Sequence, residues 1–320
     1  MSIQQAEREH LSTVVNRVHE AIASVIAGKD DQIDVALATL LAEGHLLLED
    51  VPGVGKTMLA KSLAKAIDCS VRRVQFTPDL LPGDITGTSV FNQETREFEF
   101  KPGGVFANIV VGDEINRASP KTQSALLEAM AERTVSVDGI THHLDAPFMV
   151  VATQNPIEME GTYPLPEAQR DRFMARITMG YPARISELTM LDAHGAANPL
   201  DSLEPVTDAA SVNRLIATTR SIHVAPAVRD YIIDIVTATR ASGSLRLGAS
   251  PRASLHLLRI GRAHAAMSGR DYVIPDDISS LASAVLGHRV LPSTQAQMAG
   301  RSVDQIVADL VASVPIPDRN

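Results

Sequence analysis

Residues 49–58 read EDVPGVGKTM, a glycine-rich stretch that contains Gly55-Lys56-Thr57. A phosphate-binding loop has glycine, four residues of any kind and then Gly-Lys-Ser/Thr, and its backbone N–H groups point inward at the start of a helix. Its lysine reaches the outer phosphates and its hydroxyl binds Mg²⁺. One position departs from this pattern, because Asp50 stands where the first glycine is expected. The stretch is either a nucleotide site or a glycine-rich turn that ends in Lys-Thr by chance.

A second candidate group lies in NIVVGDE (108–114), an apolar run that ends in Asp113 and Glu114. A carboxylate at the end of a buried strand can hold Mg²⁺ through its water shell, as in P-loop ATPases. The following carboxylate can orient and deprotonate an attacking water. Two acids on a solvated loop are common, but their place after an apolar strand favours the catalytic interpretation.

A third apolar run, FMVVATQNP, ends in polar groups, of which Asn155 is the best placed. Its amide could hold the nucleophilic water opposite Glu114. Taken alone, Asn155 is better explained as a turn residue before Pro156, since Asn-Pro is a frequent turn signal.

Three arginines could meet the charge that develops on a transferred phosphoryl group. Arg170 and Arg172 lie in PEAQRDRFMARI, at the end of a short predicted helix, and Arg252 lies in GASPRASLHLL, in the first turn of another. Each could equally be an ordinary surface arginine.

The elements that must position these residues alternate between strands and helices. Apolar spacing of three and four predicts helices over 4–27, 30–43, 57–67 and 120–132. Short apolar runs predict strands at 45–49, 71–76, 108–114, 148–153 and 175–179. This alternation predicts an α/β fold with a mostly parallel sheet covered by helices on both sides.

Two hairpins interrupt the alternation. In residues 89–104, Phe98 and Phe100 flank Glu99 with the period of two of a hairpin arm. In residues 134–144, Asp138-Gly139 separates two short alternating arms, a strong hairpin signal.

The pattern changes after Pro182, where strand signals end. Helices are predicted around 186–195, 207–219, 226–241, 251–267, 275–287 and 303–313. We therefore predict an α/β nucleotide-binding domain over 1–182 and a smaller all-helical domain over 183–320.

Composition narrows the functional classes. The 320 residues carry a formal net charge of −9, which argues against a protein that holds nucleic acid by broad electrostatics. One cysteine, Cys69, excludes an intramolecular disulfide, and no apolar run approaches a membrane span. We expect a cytoplasmic protein without membrane insertion. The histidines show no metal-ligand spacing, so no metal other than Mg²⁺ is predicted.

Five stretches occur in order along the chain: LLLEDVPGVGKT, FTPDLLPGDITG, GDEINRASPKTQSALLEAM, ATQNPIEMEGTYPLPEAQ followed by DRF, and GASPRAS. Together they resemble the MoxR family of AAA+ ATPases, over most of the chain. In that family the segment before the loop commonly reads ED-PG-GKT, so Asp50 agrees with the resemblance. The fold implied is an AAA+ αβα domain followed by an all-helical lid.

The resemblance implies roles for matching positions. Asp113 and Thr57 would hold Mg²⁺, Glu114 would activate water and Asn155 would be the first sensor. Arg172 would be the finger that acts on a neighbouring subunit's nucleotide, although Arg170, where the family commonly has Leu, leaves that choice open. Arg252 would be the second sensor, reaching from the lid. Residues expected to bind ATP are Ile26, Gly28, Asp50, Val51, Pro52, Gly53, Val54, Gly55, Lys56, Thr57 and Met58.

The resemblance also implies partners. The subunits would form a ring, with six as the default, and ATP hydrolysis would remodel a protein client, expected to carry a von Willebrand type A fold. The hairpins would face the pore or a partner. The alternative is an AAA+ motor or activator acting on nucleic acid, which the acidic balance disfavours. A small-molecule kinase and a slowly hydrolysing scaffold are further alternatives.

Overall fold

The computed structural model describes residues 3–51, 53–155, 161–184, 187–188 and 199–317. Its main sheet has five parallel strands in the order β2-β5-β8-β1-β9. These strands are β1 (Leu46–Glu49), β2 (Val71–Gln75), β5 (Ile109–Asp113), β8 (Met149–Gln154) and β9 (Ala175–Ile177). We name the two ends of the sheet the amino edge, where the strands begin, and the carboxyl edge, where they end. The predicted parallel α/β architecture is confirmed.

Both faces of the sheet are buried, which is why the strands read as continuous apolar runs. In β1, Leu46 and Leu48 enter one core, while Leu47 between them enters the other. The first core includes α1 (Ile3–Ala23), α2 (Asp30–Leu41) and α3 (Lys56–Ala66), and the second includes α4 (Pro82–Thr86) and α5 (Pro120–Glu132). The next helix is α6 (Glu167–Arg170).

Both predicted hairpins are confirmed. Strands β3 (Thr88–Asn92) and β4 (Glu97–Lys101) pair antiparallel, as do β6 (Thr134–Val137) and β7 (Ile140–His143). Asp138 and Gly139 have φ of 52° and 80°, the positive values that a two-residue hairpin turn requires.

The C-terminal part is mainly helical. Its helices in the described residues are α7 (Pro199–Ser202), α8 (Ala209–Arg220), α9 (Pro226–Ala241), α10 (Pro251–Met267), α11 (Pro275–Ser279), α12 (Ala282–Leu286), α13 (Thr294–Met298) and α14 (Val303–Ser313). Helix α1 packs against α8 and α10, so the first core continues from the sheet into the helical domain. The domain boundary at residue 182 stays a prediction, and the first core is continuous across that position.

Some sequence predictions for this part were wrong. Strands do occur after Pro182, because β10 (Leu245–Leu247) and β11 (Leu291–Pro292) form a two-stranded antiparallel ribbon too short to leave a periodic signal. The single helix predicted over 275–287 is two short helices that break at Ser280 and Leu281. The helix predicted over 186–195 falls mostly outside the described residues. None of the described helices is long and apolar enough to cross a membrane.

His45 joins three elements at the amino edge. Its Nδ1 accepts a hydrogen bond from the Val150 backbone N–H over 2.9 Å, and its Nε2 lies 3.0 Å from the Met130 carbonyl oxygen. The ring is therefore neutral, with its proton on Nε2. Burial lowers the pKa of His45 from 6.5 to about 4.

This pKa predicts acid sensitivity. The unfolded chain binds a proton at His45 near pH 6.5, whereas the folded chain binds it near pH 4, so stability is retained above pH 6.5 and is lost as the pH falls toward 4. The loss is about 3 kcal/mol for this pKa difference. Urea unfolding at pH 7.5 and pH 5 should show a smaller pH dependence for His45→Gln than for the parent chain. Equal pH dependence in the two proteins would contradict the assignment.

Candidate functional site

The glycine-rich loop follows β1 at the carboxyl edge and opens helix α3. Gly53 and Gly55 have φ of +85° and +90°, and a Cβ at either position would meet nothing within 4 Å. Backbone conformation rather than crowding therefore requires glycine here. Gly55 is the N-cap of α3, so the first-turn N–H groups of an 11-residue helix face the loop.

Lys56 lies between the ends of two neighbouring strands. Its Nζ donates to the backbone oxygen of Asp50 over 2.7 Å and lies 3.5 Å from that of Gln154.

The other residues expected to bind ATP lie around this loop. Thr57 and Met58 follow in the first turn of α3. Ile26 and Val54 pack against the first core, and Gly28 has a positive φ of 71°. Pro52 lies outside the described residues.

Asp113 and Glu114 end the neighbouring strand β5. Thr153 Oγ1 donates to Asp113 Oδ1 over 2.6 Å, and Arg73 Nη2 donates to Asp113 Oδ2 over 2.6 Å. Burial by itself would raise the pKa of Asp113, but these hydrogen bonds and the charges of Arg73 and Lys56 outweigh it and lower that pKa. The carboxylate is therefore charged at neutral pH, as a magnesium ligand must be.

Glu114 is held in a strained backbone conformation, with φ of 56° and ψ of 50°. Its N–H donates to Thr153 Oγ1 over 3.0 Å, and its Oε2 accepts from Gln75 Nε2 over 2.8 Å and from Arg117 Nη1 over 3.1 Å.

Asn155 is 5% exposed at the end of β8, and its backbone oxygen lies 3.4 Å from Asn116 Nδ2. The carboxyl edge thus gathers Lys56, Asp113, Glu114 and Asn155.

The predicted arginines lie at the opposite edge. Arg172 precedes β9, and it lines a cavity of about 300 Å³ together with Arg252 and His45. Since β1 separates His45 from the loop and four strand residues span about 13 Å, this cavity is remote from Lys56 within one chain. Arg172, unlike Arg170, is among the lining residues, which are Glu43, Gly44, His45, Met130, Ala131, Arg133, Arg172, Arg252, Leu255, His256 and Arg259.

The cavity is strongly basic, because among the described residues four arginines and one acidic residue line it. The Glu43 carboxylate accepts from Arg133 over 2.6 Å and from Arg220 over 2.5 Å, and its backbone oxygen accepts from Arg259 over 3.2 Å. Burial lowers the pKa of Arg259, and the charges of Arg133 and Arg220 lower it further against the opposing charge of Glu43. A group with several negative charges would relieve this crowding of cations.

Asp171 binds both Arg289 and the start of the helix that carries Arg252. Its Oδ1 accepts from Arg289 Nε over 2.9 Å, and its Oδ2 accepts from Ser250 Oγ over 2.8 Å and lies 3.5 Å from Arg252 Nη1. Ser250 is the N-cap of α10, so Asp171 attaches the start of that helix to the segment that carries Arg172. The guanidinium of Arg172 donates to the Leu127 backbone oxygen over 2.8 Å.

Known families and proteins that are similar to this chain identify its family. Residues 45–175 match the ATPase family associated with various cellular activities (AAA), and residues 237–310 match the AAA lid domain. The chaperone MoxR1 of Mycobacterium tuberculosis is 40% identical over 98% of this chain and 85% of its own length. The chain belongs to the MoxR family of AAA ATPases.

Other relatives are similar to this chain over nearly their whole length. YeaC of Bacillus subtilis, described only as uncharacterized, is 48% identical over 98% of both chains, and the protein MoxR of Paracoccus denitrificans is 31% identical over 93% of this chain and 94% of its own. A crystal structure from Cytophaga hutchinsonii, of a protein proposed to be an ATPase, superposes with a TM-score of 0.90 at 38% identity over 98% of both chains. The predicted family and fold are confirmed.

In this MoxR-family protein, the residue expected as the second sensor, Arg252, lies at the amino edge beside Asp171 and lines the cavity with Arg172. The reason is that α10 packs its N-terminus onto the segment before β9, rather than over the loop after β1. Its role as second sensor stays a prediction.

The sequence prediction also missed three positioning residues. Gln75 lies at the end of β2, and only the strand order places it beside Glu114. Thr153, two residues before Asn155, bridges Asp113 and the Glu114 backbone. Asp171 belongs to the DRF stretch, but its partners Ser250 and Arg289 lie far along the chain and only the fold brings them together.

Asp171→Ala should lower the free energy of unfolding by about 3 kcal/mol or more, because it leaves a buried cation without its anion. That cation is Arg289, whose side chain is 1% exposed. The matched control is Asp309→Ala, which removes the partner of Arg301 at a position where the carboxylate is 72% exposed. The control should lose less than about 1 kcal/mol.

Urea unfolding of both variants and the parent chain measures the difference. Similar losses for the two variants would show that the Asp171–Arg289 pair contributes no more than a surface ion pair.

Proposed function

We propose that this protein is a magnesium-dependent ATPase whose active sites are completed by a neighbouring subunit in a ring. The observation that carries the proposal is the separation of Arg172 and Arg252 from Lys56 by the length of a strand. Within one chain these arginines cannot reach a phosphate held by Lys56. A head-to-tail interface, which closes into a ring, can bring the amino edge of one subunit to the carboxyl edge of the next.

The residues at the carboxyl edge fit an Mg²⁺–ATP complex. The loop N–H groups and Lys56 would bind the phosphates, and Thr57 and the charged carboxylate of Asp113 would hold the ion. When bound, Mg²⁺ neutralises charge on the phosphate oxygens. Lys56 would exchange its contact with the Asp50 oxygen for a phosphate oxygen.

Glu114 would accept the proton of the attacking water, and Asn155 would orient that water. Gln75 and Arg117 hold the Glu114 carboxylate, so its position is set before water arrives. Arg172 and Arg252 of the neighbour would stabilise the charge that spreads over the γ-phosphate. The Leu127 backbone oxygen holds Arg172 and Asp171 holds Arg252, which would reduce the reorganisation needed in the transition state.

The hydrolysis would be coupled to remodelling of a protein client, as the chaperone name of a relative supports. We assign the surface that binds the client to the two hairpins. Phe91 and Phe98 pair edge to face at 5.4 Å on β3 and β4 and are 49% and 74% exposed. Phe100 stacks on His142 at 3.8 Å, which joins the two hairpins into one unit. A six-membered ring, a client of von Willebrand type A fold and a cytoplasmic location remain predictions.

Glu114→Gln should bind ATP with a Kd within about threefold of the parent value but lower kcat by about 100-fold or more, because a carboxamide cannot accept the proton. A steady-state phosphate-release assay and a fluorescent ATP analogue measure the two quantities. The matched control is Glu128→Gln on the exposed side of α5, which should leave turnover unchanged. Normal turnover in Glu114→Gln would remove this residue from the mechanism.

Mixing inactive variants tests the shared site. Lys56→Ala subunits lack the phosphate-binding lysine, and Arg172→Ala subunits lack the arginine finger. Where the loop of an Arg172→Ala subunit faces the arginine of a Lys56→Ala neighbour, one complete site forms. An equimolar mixture should recover about a quarter of the parent activity if subunits mix at random in a head-to-tail ring.

A mixture of Lys56→Ala with Glu114→Gln is the control. Both of its defects lie on the same side of the interface, so no complete site can form and no recovery is expected. Failure of the first mixture at every ratio, in subunits shown by sizing to assemble together, would contradict the shared site.

A further inference from the structure

Asp50 replaces the first glycine of the phosphate-loop pattern, and its side chain binds the backbone of the loop and of a second segment. Its Oδ2 accepts a hydrogen bond from the backbone N–H of Gly180 over 2.5 Å, and its Oδ1 accepts from the Val51 N–H over 2.7 Å. Gly180 lies just after β9, in the segment that leaves the sheet toward the helical domain. A glycine at position 50 could make neither side-chain contact.

The same segment is also bound by Lys29. Its Nζ donates to the backbone oxygens of Met179, Gly180 over 3.3 Å and Tyr181 over 3.2 Å. Lys29 is the residue before α2, next to Gly28. Residues 179–181, which we name the linker, are therefore bound through an amide by Asp50 and through carbonyls by Lys29.

Asp50 is also in contact with the phosphate-binding lysine. Lys56 Nζ donates to the backbone oxygen of Asp50 over 2.7 Å. If Lys56 turns to a phosphate, this contact is exchanged, and the residue that loses it is the one whose side chain holds the linker. Asp50 thus connects nucleotide binding at the loop with the linker, through which the chain continues toward Arg252 and Arg289.

We propose that Asp50 is a positioning residue that couples nucleotide binding at the phosphate loop to the linker and, through it, to the helical domain. This inference rests on the proposed ATPase function. Asp50 acts through Gly180 and Lys56 and need not touch the nucleotide. Its carboxylate is needed because two N–H groups must be accepted by two oxygens of one side chain.

Asp50→Gly separates this role from loop geometry, because it restores the usual loop pattern while removing both side-chain contacts. We expect the Kd for a fluorescent ATP analogue and the KM for ATP to stay within about threefold of the parent values, and kcat to fall about 10-fold. Hydrogen exchange of residues 178–183, compared with and without Mg²⁺–ATPγS, should respond in the parent chain but not in the variant. Asp50→Asn, which keeps one acceptor oxygen, should be intermediate and guards against a folding defect of the glycine variant.

Lys29→Met tests the other side of the linker and should lose the same exchange response. The double variant with Asp50→Gly should be no worse than either single variant, since both act on one element. The matched control is Lys65→Met, which removes an equivalent lysine contact, from α3 to the backbone oxygens of Leu200 and Asp201, off this route. The control should keep the exchange response.

The outcomes are distinct. An Asp50→Gly protein with parental kcat and a normal exchange response would overturn the coupling and leave Asp50 as a substitute for glycine. Loss of ATP binding in Asp50→Gly would overturn it too, because Asp50 would then belong to the nucleotide pocket itself. A parent chain that binds no ATP would instead refute the ATPase function on which the inference rests.

Discussion

The parallel direction of the five central strands is the constraint on which the rest of the structure depends. Because every strand runs the same way, every strand ends at one edge, and the residues that follow β1, β5 and β8 meet there. Lys56, Asp113, Glu114 and Asn155 share the carboxyl edge for this reason. The same constraint sends Arg172, which precedes β9, to the amino edge. A site that needs both groups is divided between the two edges by the length of a strand, and this separation is the basis of the proposed ring.

The helical domain adds Arg252 to the amino edge, next to a buried ion pair. Arg289 and Asp171 pair at 2.9 Å, and the Arg289 guanidinium also donates to the backbone oxygen of Met174 at 3.1 Å. Burial lowers the pKa of Arg289 to about 10, which leaves it charged at neutral pH. The desolvation free energy of burying such a cation is offset only if its pairing geometry is good and its other N–H groups are hydrogen-bonded. The same Asp171 carboxylate also accepts from Ser250 Oγ at the start of α10, which fixes that end of the helix and with it the position of Arg252.

Much of the fold could be predicted from the chain because local periodicity reports burial. The strand containing Ile109 and Val111 and the helix from Pro120 to Glu132 were recognisable from spacing alone. The break at Ser280 and the β10–β11 ribbon were not, because elements of two to five residues carry too little pattern. The candidate residues at the carboxyl edge were also predictable, since strand ends bring motif residues together. Gln75 was missed because its role depends on which strand lies beside β5.

The sequence by itself determined which residues are candidates for chemistry: a glycine-rich loop that ends in Lys-Thr, two carboxylates after an apolar strand and a set of arginines. It also determined the parallel sheet, through the alternation of apolar runs and helical periods. Only the tertiary structure decided that Arg252 lies beside Arg172 rather than over Lys56, and that the Asp50 side chain binds the Gly180 amide. These contacts join residues far apart in the chain, and no local pattern encodes them because they depend on how packed elements are oriented.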